Sequence, residues 1–552
     1  MHNLLAKVKN SSAGSLRLTL FLARRDWLKS LSWLAGLFFF ATAVPWAIQD
    51  IYGADGTTLQ AMVPMLQNPA MIAMLGPVFD AENYTVGAML AGEMLLFAVL
   101  AVCLMNILFV VRYTRADEEA ERAEVIRSLP VGRLAPLNAA LIGALILNIL
   151  VTLLTWGGLV AMNIPTVGAT GAFLYAAACG ITGMVFAAIA AICSQLASTS
   201  RAAIAYSGAV LGILYLVRGA GDLLAAQGHN WGETLSRLSA LGLCLRVEAF
   251  VSDYFWPLPY LAVQAIVLMA VAYYLNSHRD LGAGIIPPKP GPAHASPLLT
   301  SNTGLAWRLL RNTFIGWMYV AVVLGASYGS IMNYIADFVQ SSPFFEQALQ
   351  GAQGYSVTEA FASLIMVVLA AMTAAAPIML ALKAWKEEGE NRTELVLATA
   401  VSRRSYLLSY AGIAFAGSII VPALATLGMW GASALVMTNP IAAGFFFEAM
   451  VVFLPAIWVF LGLVLLLIAV APRLAAAVTW IYFTFSFFMA YFGELFTGMI
   501  PDWMLSLSVF HLSPNITKDP INWTTLGIVT AIAFAMMIAG IVLYGKRDLQ
   551  GD

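Results

Sequence analysis

Along most of the chain, apolar residues run in blocks of about twenty, separated by short polar stretches, from Leu31 to Tyr544. A helix needs about that length to cross the ~30 Å hydrocarbon core of a bilayer. In lipid, every backbone amide must be bonded within its own segment or in a closed barrel. The blocks are continuous rather than alternating, which selects helices and excludes an outer-membrane barrel. The pattern predicts spans at residues 30–49, 86–111, 135–162, 167–194, 202–219 and 255–276, then 313–335, 358–382, 407–434, 443–471, 474–493 and 524–544. The expected fold is an all-α membrane protein of twelve transmembrane helices, with both termini on one side.

The polar stretches repeat as well. Residues 118–133 read EEAERAEVIRSLPVGR and residues 387–403 read EEGENRTELVLATAVSR. Arg122 aligns with Arg392, Glu124 with Glu394, Val131 with Val401 and Arg133 with Arg403, with one residue inserted at Asn391. Tyr84-Thr-Val-Gly precedes the second span and Tyr355-Ser-Val-Thr the eighth. Arg201 opens the fifth span and Arg473 the eleventh, and HRDLGAG (278–284) is echoed by KRDLQGD (546–552). Two parallel six-helix repeats follow, residues 1–283 and 305–552. Between them lies a Pro/Gly-rich linker, 284–304, without helical period. Residues 16–28 and 305–317 mix basic, apolar and Trp side chains ahead of a first span, the composition of a helix lying in the membrane interface.

Composition agrees with this pattern. The chain is 61% apolar and 10% charged, with mean hydropathy +0.83, outside the range of soluble globular domains. The net charge of -1 says little, because distribution decides topology. Of the 28 Lys and Arg, 24 fall on the side of the termini; the other side holds Arg218, Arg237, Arg246 and Lys518. The positive-inside rule places both termini in the cytoplasm. Cys103, Cys179, Cys193 and Cys244 form no CxxC pair and indicate neither zinc site nor disulfide framework. The basic start runs into a full-length span without a small-residue cleavage site, which reads as an uncleaved first helix.

Read as helices, the two charged segments pair Arg115 with Glu119, Glu118 with Arg122, Lys383 with Glu387 and Glu388 with Arg392 at i,i+4. Val125, Ile126 and Leu129 gather on one face, as do Leu395 and Val396. Pro130 stops the first helix, and Ser402 or Ser405 caps the next span. A solvated loop obeying the positive-inside rule would account for the cations but not for the acids, which add nothing to topology yet recur in both copies. Two pseudo-equivalent docking surfaces for a pair of identical cytoplasmic partners account for both.

These segments, with HRDLGAGIIPPKPGP and its tail echo, resemble ABC type-2 permeases over residues 16–552, and more narrowly the fused two-half subgroup of exporters of polyketide antibiotics and multidrug efflux permeases. The resemblance implies the type-2 exporter permease fold and an ATP-driven efflux role. It implies that the charged helix after the second span of each half is a coupling helix seated on an ATPase subunit. Its residues here are Glu118, Glu119, Glu121, Arg122, Glu124 and Arg127, then Glu387, Glu388, Glu390, Arg392 and Glu394. Leu397 and Ala400 replace Arg127 and Pro130 in the second copy, so the two surfaces are expected to be unequal.

The chain carries no G-x-x-x-x-G-K-[ST] loop and no soluble segment long enough for an ATPase domain. ATP and Mg2+ are therefore expected in a separate partner, two copies of a cytoplasmic ABC ATPase, with no cofactor, metal or catalytic residue in this chain. His2, His229, His278, His294 and His511 are scattered, and no G-x-S-x-G elbow occurs. One rival is an ion-coupled secondary transporter of twelve spans, which would need ionisable groups within the membrane. Few are available: Glu93, Glu448 and, at an outer edge, Glu494. A second rival is an ABC-type lipid or signalling complex that exports no drug.

The resemblance makes spans 2, 5, 8 and 11 line the substrate path. Glu93 and Asn106 lie on span 2; Tyr482, Phe485, Phe488, Phe492 and Phe496 form an aromatic stripe on span 11. Packing against neighbours explains such a stripe as readily as a drug-binding wall does. Glu93 is expected to bias the path toward cationic or amphipathic compounds.

Overall fold

A computed structural model describes residues 11–52, 57–60, 62–280, 282–287, 291, 293–335, 354–492, 501–518 and 520–547. Glu494 and Phe496 lie outside these residues, as do the side chains of Arg127 and Phe492. The described residues contain helices, turns and loops and no strand. Twelve helices are long and apolar enough to cross a membrane, and the protein is a multi-pass membrane protein. They run Trp27–Trp46, Val86–Glu119, Ala135–Ala161, Ala169–Leu196, Ser200–Ala226 and Pro257–His278, then Asn302–Ser330, Val357–Gly389, Arg403–Val436, Ala443–Val470, Pro472–Ala490 and Trp523–Tyr544. They are called spans 1–12 in that order. Two compact units divide the chain, Met1–Pro290 and Gly291–Asp552.

Local signals set the helix ends. The Thr85 hydroxyl accepts from the Ala88 amide at the start of span 2, and Ser356 with Glu359 forms a capping box at the start of span 8. Ser402, rather than Ser405, caps span 9. In the first unit, span 4 is the core; it is rich in Ala and Gly, and small residues let neighbouring helices approach closely.

The sequence-based expectations need correction in three places. Residues 305–317 form no separate interfacial helix, because Asn302–Ser330 is continuous. Residues 16–28 do divide, into Ser15–Arg25 and span 1, with Asp26 at the break. The linker does not begin freely at residue 284. The amides of Ile285 and Ile286 donate to the Gln195 and Leu196 carbonyls, satisfying acceptors that the end of span 4 would otherwise leave open. Span 5 runs to Ala226, past the expected residue 219. It does so because Arg218 is neutralised in place: it pairs with Asp222 and donates to the Ala73 (2.7 Å) and Met74 (3.0 Å) carbonyls at the end of helix Pro69–Leu75.

Candidate functional site

The charged segment of each unit is not one helix but an elbow. Span 2 ends at Glu119, the chain turns through Ala120 and Glu121, and a short helix covers Arg122–Arg127. Span 8 ends at Gly389, turns through Glu390 and Asn391, and continues as Arg392–Leu397. Glu121 (φ +58°) and Asn391 (φ +56°) both occupy the left-handed region. They stand 270 residues apart, the same offset that relates Arg122 to Arg392. Asn391 is therefore no insertion; Asp117 matches Glu387 and Glu118 matches Glu388.

The bend changes which charges meet. Five residues along a straight helix turn through about 500°, which separates side chains by roughly 140°. The left-handed residue folds the short helix back, and i,i+5 pairs close across it. Arg122 donates to Asp117 at 2.8 Å, and Arg392 to Glu387 at 2.6 Å. Of the expected i,i+4 pairs only Lys383–Glu387 forms. Arg115–Glu119, Glu118–Arg122 and Glu388–Arg392 are replaced, because Glu118 and Glu388 turn inward to other cations.

Glu118 accepts from Arg115 (2.8 Å) and from both terminal nitrogens of Arg279 (2.5 and 2.9 Å). Glu388 accepts from Arg547 and from the Tyr544 hydroxyl (3.2 Å). Arg279 and Arg547 belong to the two echoed words that close the halves. Arg133 in turn donates to the Arg279 carbonyl at 2.8 Å, and its mate Arg403 to the Arg547 carbonyl. Each elbow is thus pinned to the end of the sixth helix of its own unit. The glycines of RDLGAG serve this contact. Gly282 has φ +74°, and a side chain on Gly284 would collide with the backbone of Ala197 and Ser198. The carbonyls of Gly282 and Ala283 then receive the fully buried Arg115.

The two elbows differ in where one arginine comes from. Arg115 caps the end of span 4 at the Ser198 carbonyl (2.6 Å). Near the end of span 10, the Ile468 carbonyl receives Arg547 instead (2.5 Å). The first elbow therefore has two buried arginines on one carboxylate, and the second has one doing both tasks. Burial pushes the Arg547 guanidinium below its ordinary pKa. The first elbow also rests on helix Ser15–Arg25, whose Leu18 and Leu22 pack with Tyr113, Ala139, Ala140 and Ile126, and whose Arg25 reaches Asp117 at 3.0 Å.

Glu118, Glu387 and Glu388, expected on a docking surface, turn instead into ion pairs within their own unit. Glu119, Glu121, Arg122, Glu124, Glu390, Arg392 and Glu394 remain exposed. Glu119 accepts from the Ser200 amide at 2.8 Å. The short helices also hold out an apolar knob beside an acid: Val125 (70% exposed) next to Glu124, and Leu395 (74% exposed) next to Glu394.

The expected path residues are dispersed. Glu93 is buried in a π-turn, Leu90–Met94, a local widening common at functional positions. It accepts from the Tyr84 hydroxyl at 2.7 Å. Asn106 exchanges two hydrogen bonds with Asn148 of span 3 (3.0 and 2.8 Å), and a side chain on Gly183 would stand 2.7 Å from its amide nitrogen. Asn106→Leu alone leaves Asn148 Oδ1 without its Asn106 donor and is expected to cost about 1–2 kcal/mol. The double change to Leu should recover much of the loss. Thermal unfolding in detergent decides this, and equal losses in the single and double variants would contradict it. In span 11, Tyr482 stacks on Phe485, packs on Phe460 of span 10, and donates to the Leu507 carbonyl at 3.0 Å. Phe488 is exposed. The start of the stripe is thus used for packing. Sequence reasoning missed the buried cluster Arg218, Asp222 and Arg246 (3.2 Å to Asp222) on the opposite, charge-poor side. Its one local signal was an Arg four residues before an Asp.

No group of His, Cys, Asp or Glu among the described residues could hold a metal ion. Residues 299–544 match the family model for the C-terminal domain of the multidrug efflux system permease Rv1217c. The full-length protein of that name from Mycobacterium tuberculosis is 31% identical over 545 residues, covering 97% of this chain and 95% of the relative. With twelve spans, two matching elbows and this likeness along nearly its whole length, the chain belongs to the multidrug efflux permeases of the ABC type-2 kind.

Proposed function

We propose that the chain is the permease of an ATP-driven exporter that moves apolar or amphipathic drugs out of the cell by alternating access. ATP and Mg2+ are held by two copies of a separate cytoplasmic ATPase, one at each elbow, and both termini face the cytoplasm. One observation carries this reading. Two segments 270 residues apart share a left-handed bend, an ion pair across it and an exposed apolar knob beside an acid, and each is pinned to the end of its own half. A solvated loop needs none of these features. A surface that must pass movement from a partner into the spans needs all of them: a grip outside and a rigid connection inside.

Purification of the full chain from native membranes in mild detergent, with mass spectrometry of its companions, tests the reading. A stoichiometric subunit with a phosphate-binding loop and vanadate-sensitive ATP hydrolysis is the expected result. A clean preparation without an ATPase would instead favour ion-coupled transport, with buried Glu93 as the group to test. Within the efflux reading, Glu93→Gln is expected to lower resistance to cationic drugs at least several-fold while leaving neutral ones unchanged. Uniform transport of every compound would remove Glu93 from the path.

A further inference from the structure

A groove of about 650 Å³ opens on the surface of the first unit, between spans 1, 2, 3 and 5. Its walls are apolar along the spans, with Trp33, Leu108, Phe109 and Ile204 among them. One end is basic: Lys29 and Arg112 line it, 59% and 42% exposed. Lys29 stands in the first turn of span 1, and Arg112 directly follows the long apolar run of span 2 that ends at Val111. The cations therefore sit where an apolar run meets the headgroup layer, on the side that carries most of the Lys and Arg.

Local carboxylates do not balance these cations. Asp26 accepts from Arg112 (2.8 Å), Lys29 (3.0 Å), Arg25 (3.0 Å) and the Tyr113 hydroxyl (3.1 Å). Burial alone would push the Asp26 carboxyl up, but those four donors hold it well below the usual carboxylate range, so it stays charged. Asp117 serves Arg25 and Arg122. Four cations thus share two carboxylates. Glu119, at Ser200 on the other rim, is met by Arg201. Of the residues lining the groove, two are cations and none is a carboxylate. The second unit has Leu382 where the first has Arg112, and the groove between its spans 7 and 9 is lined by Thr303, Ser405 and Ser409 at its polar end, without a charged residue.

We infer that this groove is a binding site for an anionic phospholipid, with the phosphate at Lys29 and Arg112 and an acyl chain along Trp33, Leu108 and Phe109. The volume falls in the range of small-molecule sites. The charge pattern selects an anionic headgroup over a zwitterionic one, and the length of the apolar wall selects a lipid over a soluble anion. The site lies on one half only and does not depend on the ATPase reading.

The test uses the full chain in nanodiscs and a phosphatidylglycerol carrying a photoreactive diazirine in its acyl chain. Label should appear on the peptides holding Trp33 and Leu108–Phe109. Unlabelled phosphatidylglycerol should compete on the order of tenfold better than phosphatidylcholine, since each surface cation is worth about fivefold toward an anionic lipid. The double variant Lys29→Gln/Arg112→Gln should lose that preference, Arg112→Lys should keep it, and Leu108→Trp should exclude both lipids from the groove. The preference is a ratio within one preparation, so reduced yield of a variant does not blur it. Equal competition by the two lipids would mean annular lipid only. Competition by inorganic phosphate alone would assign the cations to a soluble anion. Trapping of a second copy of the chain at these residues would make the groove a protein interface. Each of these three results overturns the assignment.

Discussion

Glu118→Gln is expected to destabilise the chain by about 3–5 kcal/mol, because it leaves two buried arginines without their shared carboxylate. Arg115 is 1% exposed and Arg279 5%, and both lie within 3 Å of Glu118. The equivalent Glu388→Gln strands only Arg547, which is 14% exposed and retains the Ile468 carbonyl. Its cost should be smaller, about 1–3 kcal/mol. Charge exchange separates the two elbows further. In the second, Glu388→Arg with Arg547→Glu rebuilds a single pair and should recover most of the loss. In the first, Glu118→Arg with Arg279→Glu places a new cation against Arg115 and should recover little. Thermal unfolding of the full chain in detergent reads all of these variants. Equal losses in the two halves, or full rescue in the first, would mean that the inward carboxylates are not carrying the load the geometry gives them.

Much of the architecture was legible because lipid leaves few options. Runs of about twenty apolar residues fixed the twelve spans to within a few residues at most ends. Ser402 marked a helix start through ordinary capping chemistry, whereas Thr85 and Ser356, visible only as a repeated word, turn out to cap theirs. The elbows were half legible. Their repetition was visible as words, but their bend was not, since Glu121 and Asn391 share a backbone conformation without sharing a side chain. Pairing by i,i+4 assumes a continuous helix, and one left-handed residue invalidates it for everything downstream. Reading Asn391 as an insertion was the same error seen in the alignment.

The inward half of the site was out of reach for a different reason. Glu118 meets Arg279 from 161 residues away, and Glu388 meets Arg547 from 159. No local period reports such contacts. The echo of HRDLGAG in KRDLQGD was the available clue, and its meaning is the pinning of each elbow. Asn106 shows the converse limit. A polar residue on an apolar span invites a functional reading, yet its needs are met in full by Asn148 and the Val102 carbonyl. Buried polar groups in lipid find partners first. Glu93 is different in degree: among the described residues it accepts from the Tyr84 hydroxyl alone, and it sits in a widened turn.

Val125→Asp and Leu395→Asp together are expected to abolish drug efflux while leaving the permease folded. Both side chains stand at least 70% exposed. Substitution at such positions changes stability by no more than about 0.5 kcal/mol. At a protein interface the same change buries a carboxylate in an apolar contact, beside an acid already present at Glu124 or Glu394. That combines desolvation with like-charge repulsion, and losses of 2 kcal/mol or more per anchor are typical of such central positions. With both elbows changed, each subunit should therefore bind at least about thirtyfold more weakly. The ATPase would be lost from the pull-down, with the unfolding midpoint of the permease unmoved. The single variants add a second distinction. The first elbow is braced by Arg115 and by helix Ser15–Arg25, whereas the second depends on Arg547. If the rigid elbow is the stronger anchor, Val125→Asp alone should cost more efflux than Leu395→Asp alone. Retention of the ATPase by the double variant would show that the exposed knobs are not the grip, and the docking reading of both elbows would fall with them.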